Sequence, residues 1–152
     1  MNSFARISLL ICACVFALTG CKDDIYQSSI PDVSVHLELN LVSQYPLFAN
    51  SVNEYILFTE PRYVTDRIGY GGVIVYSTFE GKYVAFDLAC PVEVKRDIRV
   101  EPDGSGFMTC PSCGEVYDIS FGLGYPTKGV SREPMKLYKT ELYGNILRVT
   151  LK

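Results

Sequence analysis

The sequence predicts an all-β domain behind an N-terminal export segment, and three observations carry the fold class. Apolar and polar residues alternate strictly from Val33 to Leu41; short runs rich in valine, isoleucine, tyrosine and phenylalanine follow at close spacing; and no stretch sustains a 3.6-residue apolar period. Eleven tyrosines, eight phenylalanines and twelve glycines suit strands joined by many turns.

The first strand places Val33, Val35, Leu37, Leu39 and Leu41 on one face and Ser34, His36, Glu38 and Asn40 on the other. His36, the only histidine, therefore falls on the polar face, where a solvated side chain is expected rather than a ligand. Strands follow at "EYILF" (54–58), "GVIVYSTF" (72–79) and "KYVAFDL" (82–88), the last two joined by a Glu80-Gly81 turn. Next come "IRVE" and "GFMT" across "PDGSG", then "EVYDI" (115–119). A closing hairpin pairs "MKLYKTEL" with "ILRVTL" around Tyr143-Gly144-Asn145, and "GYGG" and "GLG" read as turns. This spacing is that of a sandwich or barrel with almost no helix.

A chain of 152 residues and 17.0 kDa is long enough for one core and too short for two. Its net charge of -3, with no basic cluster, excludes phosphate-backbone binding as a function class. Arg6 precedes "ISLLICACVFALTG", an apolar run of signal length that lacks the roughly 20 residues of a spanning helix. Its end, "LTGC", resembles the lipobox of bacterial lipoproteins, which implies acylation of Cys21 and a membrane partner held through buried methylenes. The "KDD" that follows resembles the run that directs some lipoproteins to the outer leaflet, so an outer-membrane, surface-facing location is expected. Residues 1–20 then form the signal peptide, 21–32 the lipidated cysteine and a polar tether, and 33–152 the β domain.

Removing Cys12 and Cys14 with the signal and acylating Cys21 leaves Cys90, Cys110 and Cys113. Three thiols cannot all pair, so at least one is free, metal-bound or intermolecular. Each cysteine group precedes a proline ("CPV", "CPSC") and closes a strand, and Gly114 follows the second group, an arrangement that holds sulfur in a loop nest. These three residues are the expected metal site.

"CPV", seventeen residues, then "CPSCGEVYDISFG" resembles the Rieske [2Fe-2S] pattern Cys-x-His, a spacer, then Cys-x-x-His-Gly-x-x-Tyr-Asp-x-x-x-Gly. The tail "GVSREPMKLYKTELYGNILRV" resembles that family's covering loop and final hairpin, so the resemblance spans about residues 72–151. It implies stacked antiparallel sheets or a small open barrel with a two-loop metal-site subdomain. Cys110, Pro111, Gly114, Tyr117, Asp118 and Gly122 fall in register, but Val92 and Cys113 stand at the two histidine positions. Glu115 occupies the place of a serine that bonds the cluster in high-potential members, and Val130 replaces the covering-loop proline.

The resemblance leaves three outcomes open. In the first, the site is free of cluster, with a disulfide between Cys110 and Cys113 or between Cys90 and Cys110, and the domain is a structural or binding module. In the second, the chain is an electron carrier with a non-standard [2Fe-2S] cluster, its fourth ligand drawn from Glu93, Asp87, backbone or water. An extra thiolate would place such a cluster below the about -150 to +300 mV of histidine-ligated centres. The third is a zinc or thiol-redox module. A single Arg6, where folded export of preloaded relatives uses a twin-arginine signal, argues for a chain exported without its cluster. No acid/base dyad, nucleophile triad or phosphate loop is present at recognisable spacing, so no catalysis is expected, and the sequence names no protein partner.

Overall fold

The computed structural model describes residues 28–152. The signal peptide, Cys21 and tether residues 22–27 lie outside the described residues.

Eleven strands and one helical turn make up the described chain. In order they are β1 (Val35–Asn40), α1 (Pro46–Ala49), β2 (Glu54–Phe58), β3 (Arg67–Ile68), β4 (Val73–Ser77), β5 (Tyr83–Asp87) and β6 (Glu101–Pro102). Then follow β7 (Phe107–Thr109), β8 (Val116–Asp118), β9 (Tyr125–Lys128), β10 (Leu137–Tyr143) and β11 (Ile146–Thr150). Two antiparallel sheets result, one of seven strands in the order β2-β4-β5-β10-β11-β1-β3 and one of four in the order β6-β7-β8-β9. The all-β expectation holds, with α1 a single turn opened by Pro46, whose missing N–H costs nothing there.

The alternation read in the sequence fixes the facing of β1. Val35, Leu37 and Leu39 are buried, Glu38 is exposed, and His36 is half-buried opposite Thr150 and Arg67. These side chains join Val73, Val75, Ala85, Leu147 and Val149 in one core. β4 has no exposed face, and its other side sends Ile74 and Tyr76 into a second core with Phe86, Leu88, Met108, Tyr117 and Ile119. Cys90 and Cys110 belong to that second core, so the apolar effect that joins the sheets also fixes two of the three thiols.

Part of the expected tether is instead fixed on the domain. Ser28 Oγ, Ser29 N and Ser29 Oγ donate to the Glu133 carboxylate, and Ile30 is 1% exposed. The buried Lys136 ammonium donates to the carbonyls of Ile30 and Pro31 and pairs with Asp32. The partners lie over a hundred positions away, which is why a local reading of "SSIPD" as free chain misses them.

Candidate metal centre

Two loops converge at one end of the four-stranded sheet. The first leaves β5 through Leu88 and Ala89 and holds Cys90, whose N–H donates to the Ile98 carbonyl at 3.1 Å. The second leaves β7 and holds Cys110, whose N–H donates to the Glu115 carbonyl at 2.8 Å. An Ala89–Arg99 bridge closes the base of the first loop.

The loops Cys90-Pro91-Val92-Glu93-Val94 and Cys110-Pro111-Ser112-Cys113-Gly114 are conformational twins. In each, the cysteine carbonyl accepts the N–H four residues on, at 2.9 Å in both. In each, that fourth residue has positive φ, 51° at Val94 and 75° at Gly114. Glycine adopts this conformation freely, whereas a β-branched valine adopts it against its preference. Amides of Val92 and Glu93 donate to the Cys90 sulfur, as those of Ser112 and Cys113 do to Cys110. By this equivalence the counterpart of Cys113 is Glu93, not Val92.

The three sulfurs lie within 4.8 Å of one another. Cys90 and Cys110 are 0% and 1% exposed, and Cys113 is exposed. Of the pairs, Cys90 Sγ and Cys113 Sγ approach to 3.6 Å, and Tyr117 Oη sits 3.9 Å from Cys90 Sγ. The disulfide pairs expected from sequence were Cys110–Cys113 and Cys90–Cys110; the twin loops instead bring Cys113 across to Cys90.

Electrostatics distinguish the thiols. Burial raises the Cys90 pKa against the opposing pull of the Glu93 and Val92 amides. At Cys110 burial acts upward too, but the amides of Cys113 and Ser112 and the two neighbouring thiols outweigh it, so this thiol falls below its ordinary value. Cys113 is pushed up to about 12, first by desolvation and then by the adjacent Cys110 and Cys90. The residue is exposed as a whole, yet its sulfur turns inward toward Cys90, which reconciles exposure with desolvation. Burial and the nearby Cys90 also raise the Tyr117 phenol, keeping it a neutral donor.

The expected fourth ligands fare differently. Asp87 is fully buried and already accepts from the amides of Tyr70, Gly71 and Ala89 and from the Tyr138 hydroxyl, so it is a structural anchor and not a ligand. Glu93 accepts from Ser112 Oγ at 3.0 Å and so ties one loop to the other. Val92, 39% exposed, brings no donor atom.

Glu115 acquires a role that its sequence position did not disclose. The side chain is 1% exposed; its Oε1 accepts the N–H groups of Val130 and Ser131, holding the covering loop, while Oε2 has no partner. Gly129 lies directly against this carboxylate, and an added Cβ would stand 2.1 Å from Glu115 Cδ. The signal, a glutamate inside an otherwise apolar strand pattern beside a glycine-containing loop, was visible but silent about its partner.

No protein-family model matches the chain, and no curated protein does. Solved structures do match. A quaternary ammonium Rieske monooxygenase in complex with an inhibitor aligns over 78% of this chain and 31% of its own, with TM-score 0.54 and 14% identity. A structure of a quaternary ammonium Rieske monooxygenase described in connection with carnitine oxidation by gut microbiota aligns over the same shares, with TM-score 0.53 and 16% identity. The fold is Rieske-like. This Rieske-like chain spans about a third of the length of those oxygenases, and at such identity the likeness concerns architecture alone.

The donor set does not fit the two-cysteine, two-histidine centre of the Rieske pattern. His36, the only histidine, lies on β1 outside the thiol group, and the described metal-ligating group consists of three cysteines. The separations also favour one ion over two, because sulfurs about 2.3 Å from a single tetrahedral ion stand about 3.8 Å apart.

Proposed function

We propose that this chain is a lipid-anchored envelope protein that uses the Rieske-like fold as a non-catalytic structural or binding module, without a [2Fe-2S] centre of the family type. One observation carries the reading: the described site gathers three thiols and no imidazole, with Cys90 and Cys113 only 3.6 Å apart. In an oxidising compartment, closing that pair to the roughly 2.05 Å of a disulfide needs a movement of about 1.5 Å, and the bridge staples the two loops.

The anchor is Cys21, acylated at the end of "LTGC", with the domain facing outward from the outer membrane. Because Ser28 to Asp32 are fixed on the domain, the free tether is residues 22–27, with a reach of about 20 Å. The domain therefore stands against its membrane, closer than the whole 21–32 segment would allow.

Electron transfer through a three-cysteine cluster is the second reading, favoured by the Rieske-like architecture around the thiols. Iron, acid-labile sulfide and visible absorbance, measured on full chain purified anaerobically from a cell envelope, separate the two. The expected result is neither iron nor sulfide above trace. Stoichiometric amounts of both, with a visible chromophore, would overturn the cluster-free reading.

A further inference from the structure

Resting on the absence of a family-type cluster, the geometry points to a site for a single thiophilic divalent cation of the Zn2+ class, held by Cys90, Cys110 and Cys113 with Glu93 at its fourth corner. Cys110 and Cys113 have the Cys-x2-Cys spacing that puts two thiolates on one ion. Cys90 enters from the other loop, at 3.6 Å from Cys113 and within 4.8 Å of both partners. That is the scale of sulfurs sharing one tetrahedral centre, about 3.8 Å.

The twin loops identify the fourth corner. A tetrahedral site built from two equivalent loops takes the first and fourth residue of each, here Cys90 with residue 93 and Cys110 with Cys113. Residue 93 is a glutamate, and its carboxylate already reaches across to Ser112 of the opposite loop. A carboxylate oxygen is an accepted fourth donor for Zn2+ beside three thiolates, with Ser112 left to orient it. Amide donors aimed at the Cys90 and Cys110 sulfurs favour their anionic, ligating form.

The inference differs from both earlier readings in requiring one ion and no inorganic sulfide. Its test uses the full chain, reduced by a phosphine, stripped by a chelator and titrated anaerobically with Co2+, then with Zn2+. One equivalent of Co2+ should raise a sulfur-to-metal charge-transfer band and the strong d–d bands of tetrahedral geometry, and Zn2+ should bleach them stoichiometrically. Cys113→Ser, at an exposed position, should keep the fold and weaken affinity at least about 100-fold. Glu93→Cys should complete a four-thiolate set, intensifying the charge-transfer band and tightening Co2+ binding at least about tenfold. No tetrahedral spectrum from a folded, reduced chain would overturn the single-ion site. Unchanged affinity in both variants would do the same. Iron and sulfide in the anaerobically purified protein sink the cluster-free reading on which the inference rests, whereas a silent Co2+ titration of iron-free protein sinks only the inference.

Discussion

Asp87→Ala is expected to destabilise the fold by about 4 kcal/mol, the largest single effect in the molecule. Asp87 ends β5 and is 0% exposed. Its carboxylate accepts the Tyr70 amide at 2.9 Å, the Gly71 amide at 2.9 Å, the Ala89 amide at 2.7 Å and the Tyr138 hydroxyl. Alanine leaves four donors without a partner in a place water does not reach, and each orphan costs roughly 1–3 kcal/mol. The damage is directed at the site, because the Gly69-to-Gly72 turn held by Asp87 in turn supports the first cysteine loop. Tyr70 Oη donates to the Val94 carbonyl at 3.1 Å, and Arg99 Nε donates to the Gly71 carbonyl. Urea unfolding should show the midpoint falling with an unchanged slope. Tyr138→Phe, which removes one of the four donors and leaves the carboxylate satisfied by the other three, should cost about 1 kcal/mol. An Asp87→Ala midpoint within experimental error of the parent would show that the carboxylate is not the anchor of this end of the sheet.

Gly129→Ala is expected to cost about 3 kcal/mol, and Glu115→Ala should remove part of that cost. Two separate penalties meet at Gly129. Its φ of 122° is a conformation L side chains rarely adopt, worth roughly 1–3 kcal/mol. The new methyl would also meet the Glu115 carboxyl carbon at 2.1 Å, so either the carboxylate leaves its bonds to Val130 and Ser131 or the covering loop lifts. Glu115→Ala alone should cost about 2 kcal/mol by releasing that loop and leaving two amides unpaired. In the double variant the clash disappears while the backbone strain stays, so the two costs should fall short of additivity by about 1–2 kcal/mol. Strict additivity in a denaturant-based double-mutant cycle would show that Gly129 and Glu115 do not press on each other.

Most of the fold is legible in the sequence, for reasons that also explain what is not. The long strands β1, β2, β4, β5, β10 and β11 carry enough alternating or continuously apolar residues to declare a face. β3 is two residues long, too short for any period, and β9 begins with Tyr125-Pro126 and is largely exposed, so its composition resembles a loop. β6 retains only Glu101 and Pro102 of the expected "IRVE" run, with Arg99 held by an isolated bridge instead. The docking of Ser28 to Asp32 depends on Glu133 and Lys136, contacts of high sequence separation that composition does not encode.

The site divides in the same way. Its three cysteines are legible because sulfur at loop spacing is rare and chemically specific, and the structure brings all three together. The order of the pairs is not, because it follows from the way Cys90 and Cys110 are buried while Cys113 turns back across the gap. The equivalence of Glu93 with Cys113 is hidden as well. It rests on Val94 adopting the positive φ of Gly114, which no propensity assigns to valine.

The central claim, that sulfurs from two separate loops meet with residues 90 and 113 nearest, is tested most directly by peptide mapping of the metal-free chain after mild oxidation, with free thiols alkylated before digestion. A bridge joining the Cys90 and Cys113 peptides, with Cys110 alkylated, is the result the geometry demands. A map in which Cys90 is alkylated in full, whether or not Cys110 and Cys113 have joined, would contradict it.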